Sequence, residues 1–204
     1  MIRNYIFDFG NVLARFDPES MTAACISDPE IVRKVYPVAY DRLYWDRLDA
    51  GTITDEELHD QFFQRLPVDL AQAAWTAYNG WIGAMPPIAG MEALARDIKA
   101  CGGKVYLISN ISKGFAENYH TVPWIRDLLS QFDGLVFSGV VGLVKPEKEI
   151  FSYLLDTYGL DPAECIFIDD RAENITACEA CGIGGYLFDG SAERLRNYLN
   201  IPYK

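Results

Sequence analysis

Long apolar runs are missing from this chain. No stretch of about 18 apolar residues occurs, so the sequence predicts no membrane-spanning helix. Basic residues are scarce: 18 Lys and Arg stand against 29 Asp and Glu, a formal charge of −11. That balance argues against nucleic-acid or anionic-membrane binding, because phosphate recognition needs a cationic face. Histidine is rarer still. His59 and His120 are the only two, too few to suggest a zinc site with Cys178 and Cys181. These thiols belong to a set of five with Cys25, Cys101 and Cys165. An odd count does not read as a disulfide framework, and the N-terminus reaches Asp8 too soon for a signal peptide. A cytoplasmic protein is expected. The Cys-x-x-Cys pair falls in a helix-like stretch closed by Gly182, where thiols three residues apart share a packing face.

What is present is ample apolar material. Half of the 204 residues are hydrophobic, enough for one domain with a full core and room for an insert. Tyr5-Ile6-Phe7 is apolar on both faces, the pattern of a buried parallel strand, and stops at Asp8. From about residue 17 to 84 no convincing strand appears. Asp17-Pro18 and Asp28-Pro29 read as helix N-caps followed by Pro, and Thr54 with Glu57 forms a capping box. Tyr36, Tyr40, Leu43, Tyr44 and Leu48 recur at helical spacing, as do Leu58, Phe62 and Leu66.

After Pro86-Pro87 helices and strands alternate. Helices are expected over Met91 to Cys101, Glu147 to Tyr158, Ala172 to Cys181 and Ala192 to Leu199. Strands are expected over 104–108, 134–137, 165–168 and 185–188. The alternation predicts an α/β fold, a doubly wound (Rossmann-like) parallel sheet with helices on both faces. The expected organisation is a core of residues 1–14 and 88–204, with residues 15–87 as a small helical cap inserted after the first strand.

Three expected strands end in polar residues: Asp8, Ser109-Asn110 and Asp169-Asp170. Ligands of open parallel sheets bind beyond the carboxyl ends of the strands, so these groups can meet although they are far apart in sequence. Lys145 precedes a helix in Gly142-Leu143-Val144-Lys145-Pro146. Crowded carboxylates repel unless a hard cation joins them, and Mg²⁺ suits one or two carboxylates plus phosphate oxygens. Ser109 and Lys145 can hold a phosphoryl group, and Asp8 can attack it to form an aspartyl-phosphate.

These motifs resemble the haloacid dehalogenase-like (HAD) hydrolase superfamily. Tyr5-Ile6-Phe7-Asp8-Phe9-Gly10-Asn11-Val12 is similar to its first motif, and Leu107-Ile108-Ser109-Asn110 to its second. Lys145-Pro146 with Ile150-Phe151 is similar to the third, and Phe167-Ile168-Asp169-Asp170 with Asn174 to the fourth. The helical insert resembles the cap of subfamily IA. The Asp-x-Gly-Asn form resembles a bacterial subgroup that includes glucose-1-phosphate phosphatases; the phosphatase domain of epoxide hydrolases is a more distant likeness.

The resemblance implies a Mg²⁺-dependent phosphatase of a small phosphorylated metabolite, such as a sugar phosphate, working as a monomer or homodimer. Asp8 would be nucleophile and metal ligand. The Gly10 carbonyl and Asp170 would complete the protein's share of the metal site, and Asp169 would act through a bound water, with Asn174 beside it. Ser109 and the Asn110 backbone would hold phosphoryl oxygens, and Lys145 would stabilise the charge shared with Asp8. A metal-independent dehalogenase-like hydrolase and a non-catalytic phosphate-binding protein are the alternatives. The departure is Gly10, where the family usually carries a second Asp as general acid and base. His59 and the cap tyrosines are the stand-ins that sequence can offer, but each reads first as a packing or surface residue, and a glycine here is compatible with a positive φ.

Overall fold

A computed structural model describes residues 1–204. Strand β1 (Asn4–Phe7) leads into five helices with no intervening strand: α1 (Pro18–Cys25), α2 (Pro29–Ala39), α3 (Arg42–Asp49), α4 (Asp55–Arg65) and α5 (Val68–Ala84). Then follow α6 (Met91–Ala100), β2 (Lys104–Ser109), α7 (Lys113–Asn118), α8 (Pro123–Leu129), β3 (Gly134–Phe137), α9 (Ser138–Val141) and α10 (Lys148–Tyr158). The chain closes with β4 (Cys165–Asp169), α11 (Ala172–Glu179), β5 (Gly184–Leu187) and α12 (Ala192–Leu199). The strands form one parallel sheet in the order β3-β2-β1-β4-β5. No helix is long and apolar enough to cross a membrane.

The apolar runs of the central strands are explained by helices on both faces. Tyr5 and Phe7 enter the larger apolar cluster, whereas Ile6 between them enters the smaller one. Val105 and Leu107 alternate in the same way with Tyr106 and Ile108, as do Ile166 and Ile168 with Cys165 and Phe167. On the smaller side Ile150, Phe151 and Leu154 of α10 and Cys178 of α11 cover the sheet. Cys178 thus serves packing, as its spacing suggested. Cys181 lies just beyond the end of α11, and all five thiols are free.

On the larger side the insertion shares one core with the sheet. Rings run from Phe16 to Trp45 and Trp81, on to Phe115, and from there to Phe9 beside the end of β1. The chain enters and leaves the insertion by paired segments: the Arg15 N–H donates to the Pro86 carbonyl at 2.9 Å and the Ile88 N–H to Leu13, also at 2.9 Å.

Asp17, Asp28 and the Thr54–Glu57 box cap their helices as the sequence predicts. The spacing from Tyr36 to Leu48 does not describe one helix. The Asp41 side chain accepts from the Leu43 N–H and starts α3, so the helical phase is reset and Leu43 is exposed. Helices α7, α8 and α9, six, seven and four residues long, have no counterpart in the sequence reading. They are too short for a 3.6-residue pattern to show.

Candidate active site

The strand register builds the site. Phe7 pairs with Leu107 on one side and Ile168 on the other, so the next residues, Asp8 and Asp169, emerge side by side, with Ser109 close behind on β2. The Asp8 N–H donates to the Ile168 carbonyl at 2.9 Å, which fixes Asp8 at the lip of the sheet. Carboxylate oxygens of Asp8, Asp169 and Asp170 all lie within 4.8 Å of one another.

Lys145 bridges two of them. Its Nζ is 2.8 Å from Asp8 Oδ1 and 2.7 Å from Asp169 Oδ2, and its side chain is 1% exposed. The Asn110 amide clamps the Lys145 backbone: its Nδ2 donates to the Lys145 carbonyl and its Oδ1 accepts from the Lys145 N–H, both at 2.8 Å. Asn110 therefore positions the lysine with its side chain.

Asp169 is saturated. Its Oδ1 accepts from the Arg171 N–H at 2.8 Å and from Asn174 Nδ2 at 3.0 Å, and its Oδ2 from Lys145 and from Asn174 at 2.9 Å. A carboxylate offers about four acceptor positions, and these are used. Asp8 is different. Its Oδ1 accepts from the Phe9 N–H at 2.7 Å and faces Lys145, while no hydrogen bond engages Oδ2.

The electrostatics follow from crowding and burial. Burial first, then the charge of Asp169, pushes the Asp8 carboxyl up to about 6, against the opposing pull of Lys145. Asp170 is also raised, mainly by burial and then by Asp169. Burial alone would lower the Lys145 ammonium, but Asp8 and Asp169 outweigh it and hold it above its ordinary value. Three carboxylates and one ammonium leave a formal charge of −3 + 1 = −2. That excess, with free oxygens on Asp8 and Asp170, fits a hard divalent cation.

Asp8, Lys145 and Asp170 line one cavity of about 440 Å³, together with Gly10, Ser109, Asn110 and Asn174, while Asp169 itself is fully buried. Its far wall comes from the insertion: Phe16, Tyr40, Trp45, Trp81 and Met85 are apolar or aromatic, and Asp49 is ionisable. Arg42 and Arg171 also line the cavity and are exposed. The sequence-predicted residues Asp8, Gly10, Ser109, Asn110, Lys145, Asp169, Asp170 and Asn174 are thus brought together.

The suggestion of a positive φ at Gly10 fails, and the stand-ins for its missing carboxyl lie mostly elsewhere. Gly10 does not have a positive φ; Asn11 does, at 55°. A Cβ on Gly10 would meet only Phe16 Cβ, at 4.0 Å, so the backbone here has room for one. His59 lies outside the cavity. Its ring packs against Phe63 and Trp75, and Nδ1 is 3.3 Å from Asp60. Of the insertion's tyrosines, Tyr44 binds Gln61 and Tyr78 binds Asp55, and Tyr40 alone lines the cavity. Asp49 was missed altogether. Its only sequence signal is an acidic residue at a helix end, next to buried Leu48 and just before Gly51.

A family model described as haloacid dehalogenase-like hydrolase matches residues 2–182. The chain belongs to that family. It is 29% identical over 188 residues to a sesquiterpene phosphatase of Aspergillus oryzae, covering 92% of this chain and 90% of that protein. It is 25% identical over 187 residues to a D-ribitol-5-phosphate phosphatase of Bacteroides thetaiotaomicron, 86% of each chain. A HAD family enzyme from the latter organism, solved with magnesium and inorganic phosphate, superposes with a TM-score of 0.65 at 23% identity, covering 94% of this chain and 96% of that one. In other relatives the matched unit is a minor part, 17% to 37%, of a longer protein.

Proposed function

We propose that this hydrolase is a Mg²⁺-dependent phosphomonoesterase acting on a small phosphorylated metabolite through an aspartyl-phosphate at Asp8. The observation that carries this reading is the buried Lys145 ammonium between Asp8 and Asp169, with Asp170 beside them as a carboxylate that no cation in the chain balances. A metal-independent dehalogenase has no use for that third carboxylate, since it has no phosphate to neutralise. Two relatives that match over most of their length are phosphatases by name, which supports the same choice.

Asp8, the Gly10 carbonyl and Asp170 would hold the cation, which supplies charge neutralisation at the phosphoryl oxygens. The chain's own groups do the rest. Asp8 Oδ2, free of hydrogen bonds, is the attacking oxygen, while Oδ1 is held by Phe9 and Lys145. The Ser109 hydroxyl and the Lys145 ammonium bind phosphoryl oxygens and stabilise charge developing on them. Asp169 and Asn174 keep Lys145 in place.

Residues 15–87 act as the cap over a core of residues 1–14 and 88–204, and they contact the leaving group. A 440 Å³ cavity walled by aromatic rings suits a leaving group with a flat or apolar face, a sugar ring among them. Five free thiols fit a cytoplasmic setting. The test is phosphate release from a panel of phosphomonoesters. Release should require Mg²⁺ and stop in excess chelator. Full activity in chelator refutes the metal-dependent reading, and halide release from a 2-haloacid without metal would favour the dehalogenase.

A further inference from the structure

The first half-reaction proposed above expels an alcohol, and an alkoxide leaves slowly unless it is handed a proton. Gly10 has none to give. Two acidic side chains of the insertion line the catalytic cavity with Asp8 and Lys145: Asp46, exposed and paired with Arg42, and Asp49, which ends α3. Its Oδ1 is buried and has no hydrogen-bond partner in the chain. A buried oxygen without a partner costs far less on a neutral carboxyl than on a carboxylate, so this placement favours the protonated acid.

The end of α3 is seated firmly on the core. Ser138 Oγ donates to the Asp49 carbonyl at 2.5 Å and accepts from the Ile111 N–H at 2.8 Å. Two residues on, Gly51 sits at φ +68°, and a Cβ there would lie 2.6 Å from the Gly139 carbonyl oxygen. The backbone following Asp49 therefore lies directly against α9, with no space for a side chain. Ile111 follows Ser109 and Asn110, so the same contacts tie Asp49 to the loop that lines the phosphate end.

We propose that Asp49, delivered by the helical insertion, is the general acid and base that Gly10 cannot be. The proposal rests on the phosphatase reading. As Asp8 Oδ2 bonds to phosphorus, the bond from phosphorus to the alcohol oxygen breaks, and the Asp49 proton passes to that oxygen. The Asp49 carboxylate then takes a proton from the water whose oxygen attacks the aspartyl-phosphate. The bond between phosphorus and Asp8 breaks, phosphate leaves, and Asp49 is protonated again.

The surroundings put Asp49 in the right state. Burial, then Asp46 and Asp8, push its carboxyl up to about 8, against Arg42 on its own helix and Lys145 across the cavity. Tyr78 of α5 is the remaining titratable neighbour, itself raised by burial and kept protonated. An acid works best with its pKa near the operating pH. Tyr40, the other unpartnered hydroxyl at the cavity, is raised by burial well above its ordinary value and is too weak an acid to compete.

The experiment is single-turnover phosphoryl transfer in Mg²⁺, with butyl phosphate and p-nitrophenyl phosphate, for wild type, Asp49→Asn and Asp49→Glu. Nitrophenolate leaves without a proton and butoxide does not. Asp49→Asn should slow transfer from butyl phosphate by about 10²–10⁴-fold and from the aryl ester by less than about tenfold. Asp49→Glu should restore part of the butyl rate. In wild type the butyl rate should fall above pH about 8, a limb absent from the aryl ester. Equal losses on both esters, an undiminished butyl rate in Asp49→Asn, or the same limb on both esters overturns the proposal. The wild-type limb decides the matter even if Asp49→Asn does not fold. Failure of the phosphatase reading looks different: wild type itself would release phosphate from neither ester.

Discussion

Adding Mg²⁺ to metal-free protein should raise its unfolding temperature, because a cation relieves the crowding of charges at the sheet edge. Asp8, Asp169 and Asp170 carry −3 against +1 on Lys145. Lys145 is already divided between Asp8 and Asp169, so Asp170 is the uncompensated member. Two like charges within 4.8 Å of each other repel by about 3 kcal/mol or more at an effective dielectric of about 20, reduced by solvent screening at half-buried Asp170. A divalent cation cancels the −2. At about 100 times its dissociation constant a ligand specific to the folded state stabilises by about 2.7 kcal/mol. In a chain of this size each kcal/mol moves the midpoint by about 2–4 °C, which gives a rise of about 5–11 °C. Differential scanning calorimetry in chelator, then in excess Mg²⁺ at matched ionic strength, reads the shift. Asp170→Asn should start higher, since one repulsive charge is gone, and should gain less than about 2 °C from Mg²⁺. No shift in wild type, or an equal shift in Asp170→Asn, would refute the assignment of the cation to this charge cluster.

In chelator, stability should fall as pH rises from about 4 towards 8. Asp8 and Asp49 are raised to about 6 and about 8, so each contributes stability that is complete below the unfolded carboxylate value and lost as pH climbs through its folded one. Urea melts across that range should show the decline, and Asp49→Asn should flatten the part above pH 6; a rising curve contradicts the burial argument. Asp8→Asn keeps the shape but removes the nucleophile, so phosphate release should drop below detection while circular dichroism is unchanged; near-normal turnover rules out the aspartyl-phosphate. Asp97 pairs with Arg196 at 2.8 Å, both side chains 5% exposed or less, so Asp97→Ala strands a buried guanidinium and should cost about 3–5 kcal/mol in denaturant melts while the folded fraction keeps its activity.

How much of this was legible in the sequence depends on how far each feature is local. The buried strands announce themselves because both faces are covered, and an apolar run such as Cys165-Ile166-Phe167-Ile168 has no other economical explanation. The polar residues that end those runs are legible for the same reason: parallel strands put their carboxyl ends together, so Asp8, Ser109 and Asp169-Asp170 meet without knowledge of any contact. Lys145 needed only its place before a helix. Asp49 was hidden because Asp41, Asp46 and Asp49 look alike along the chain. One caps a helix, one pairs with Arg42 at its surface and one, at the helix end, lines the cavity with one carboxyl oxygen buried. Periodicity could not separate them, since the helical phase restarts at Asp41. The wrong inference about Gly10 had a related origin. A glycine beside an asparagine leaves open which of the two takes the left-handed turn, and here Asn11 takes it, its Oδ1 accepting from the Phe16 N–H at 3.0 Å.

That Gly10 is free of conformational duty changes what its presence means. A Cβ there would be in ordinary contact, so crowding at the backbone does not explain the missing side chain. With Asp49 in that role, proton delivery belongs to the same helix that places Trp45 in the leaving-group wall. Trp45 and Asp49 are four residues apart on α3, hence on one face, and both line the cavity. A leaving group seated on the Trp45 ring is thereby brought beside the Asp49 carboxyl, whereas one that misses the ring is not. An acid fixed beside the nucleophile would protonate whatever alcohol entered. An acid on the insertion protonates the alcohol that the insertion recognises. Its position in turn depends on the Ser138 hydrogen bond and the Gly51–Gly139 contact, so recognition and proton transfer share a single mechanical support at the seam between the helices and the sheet.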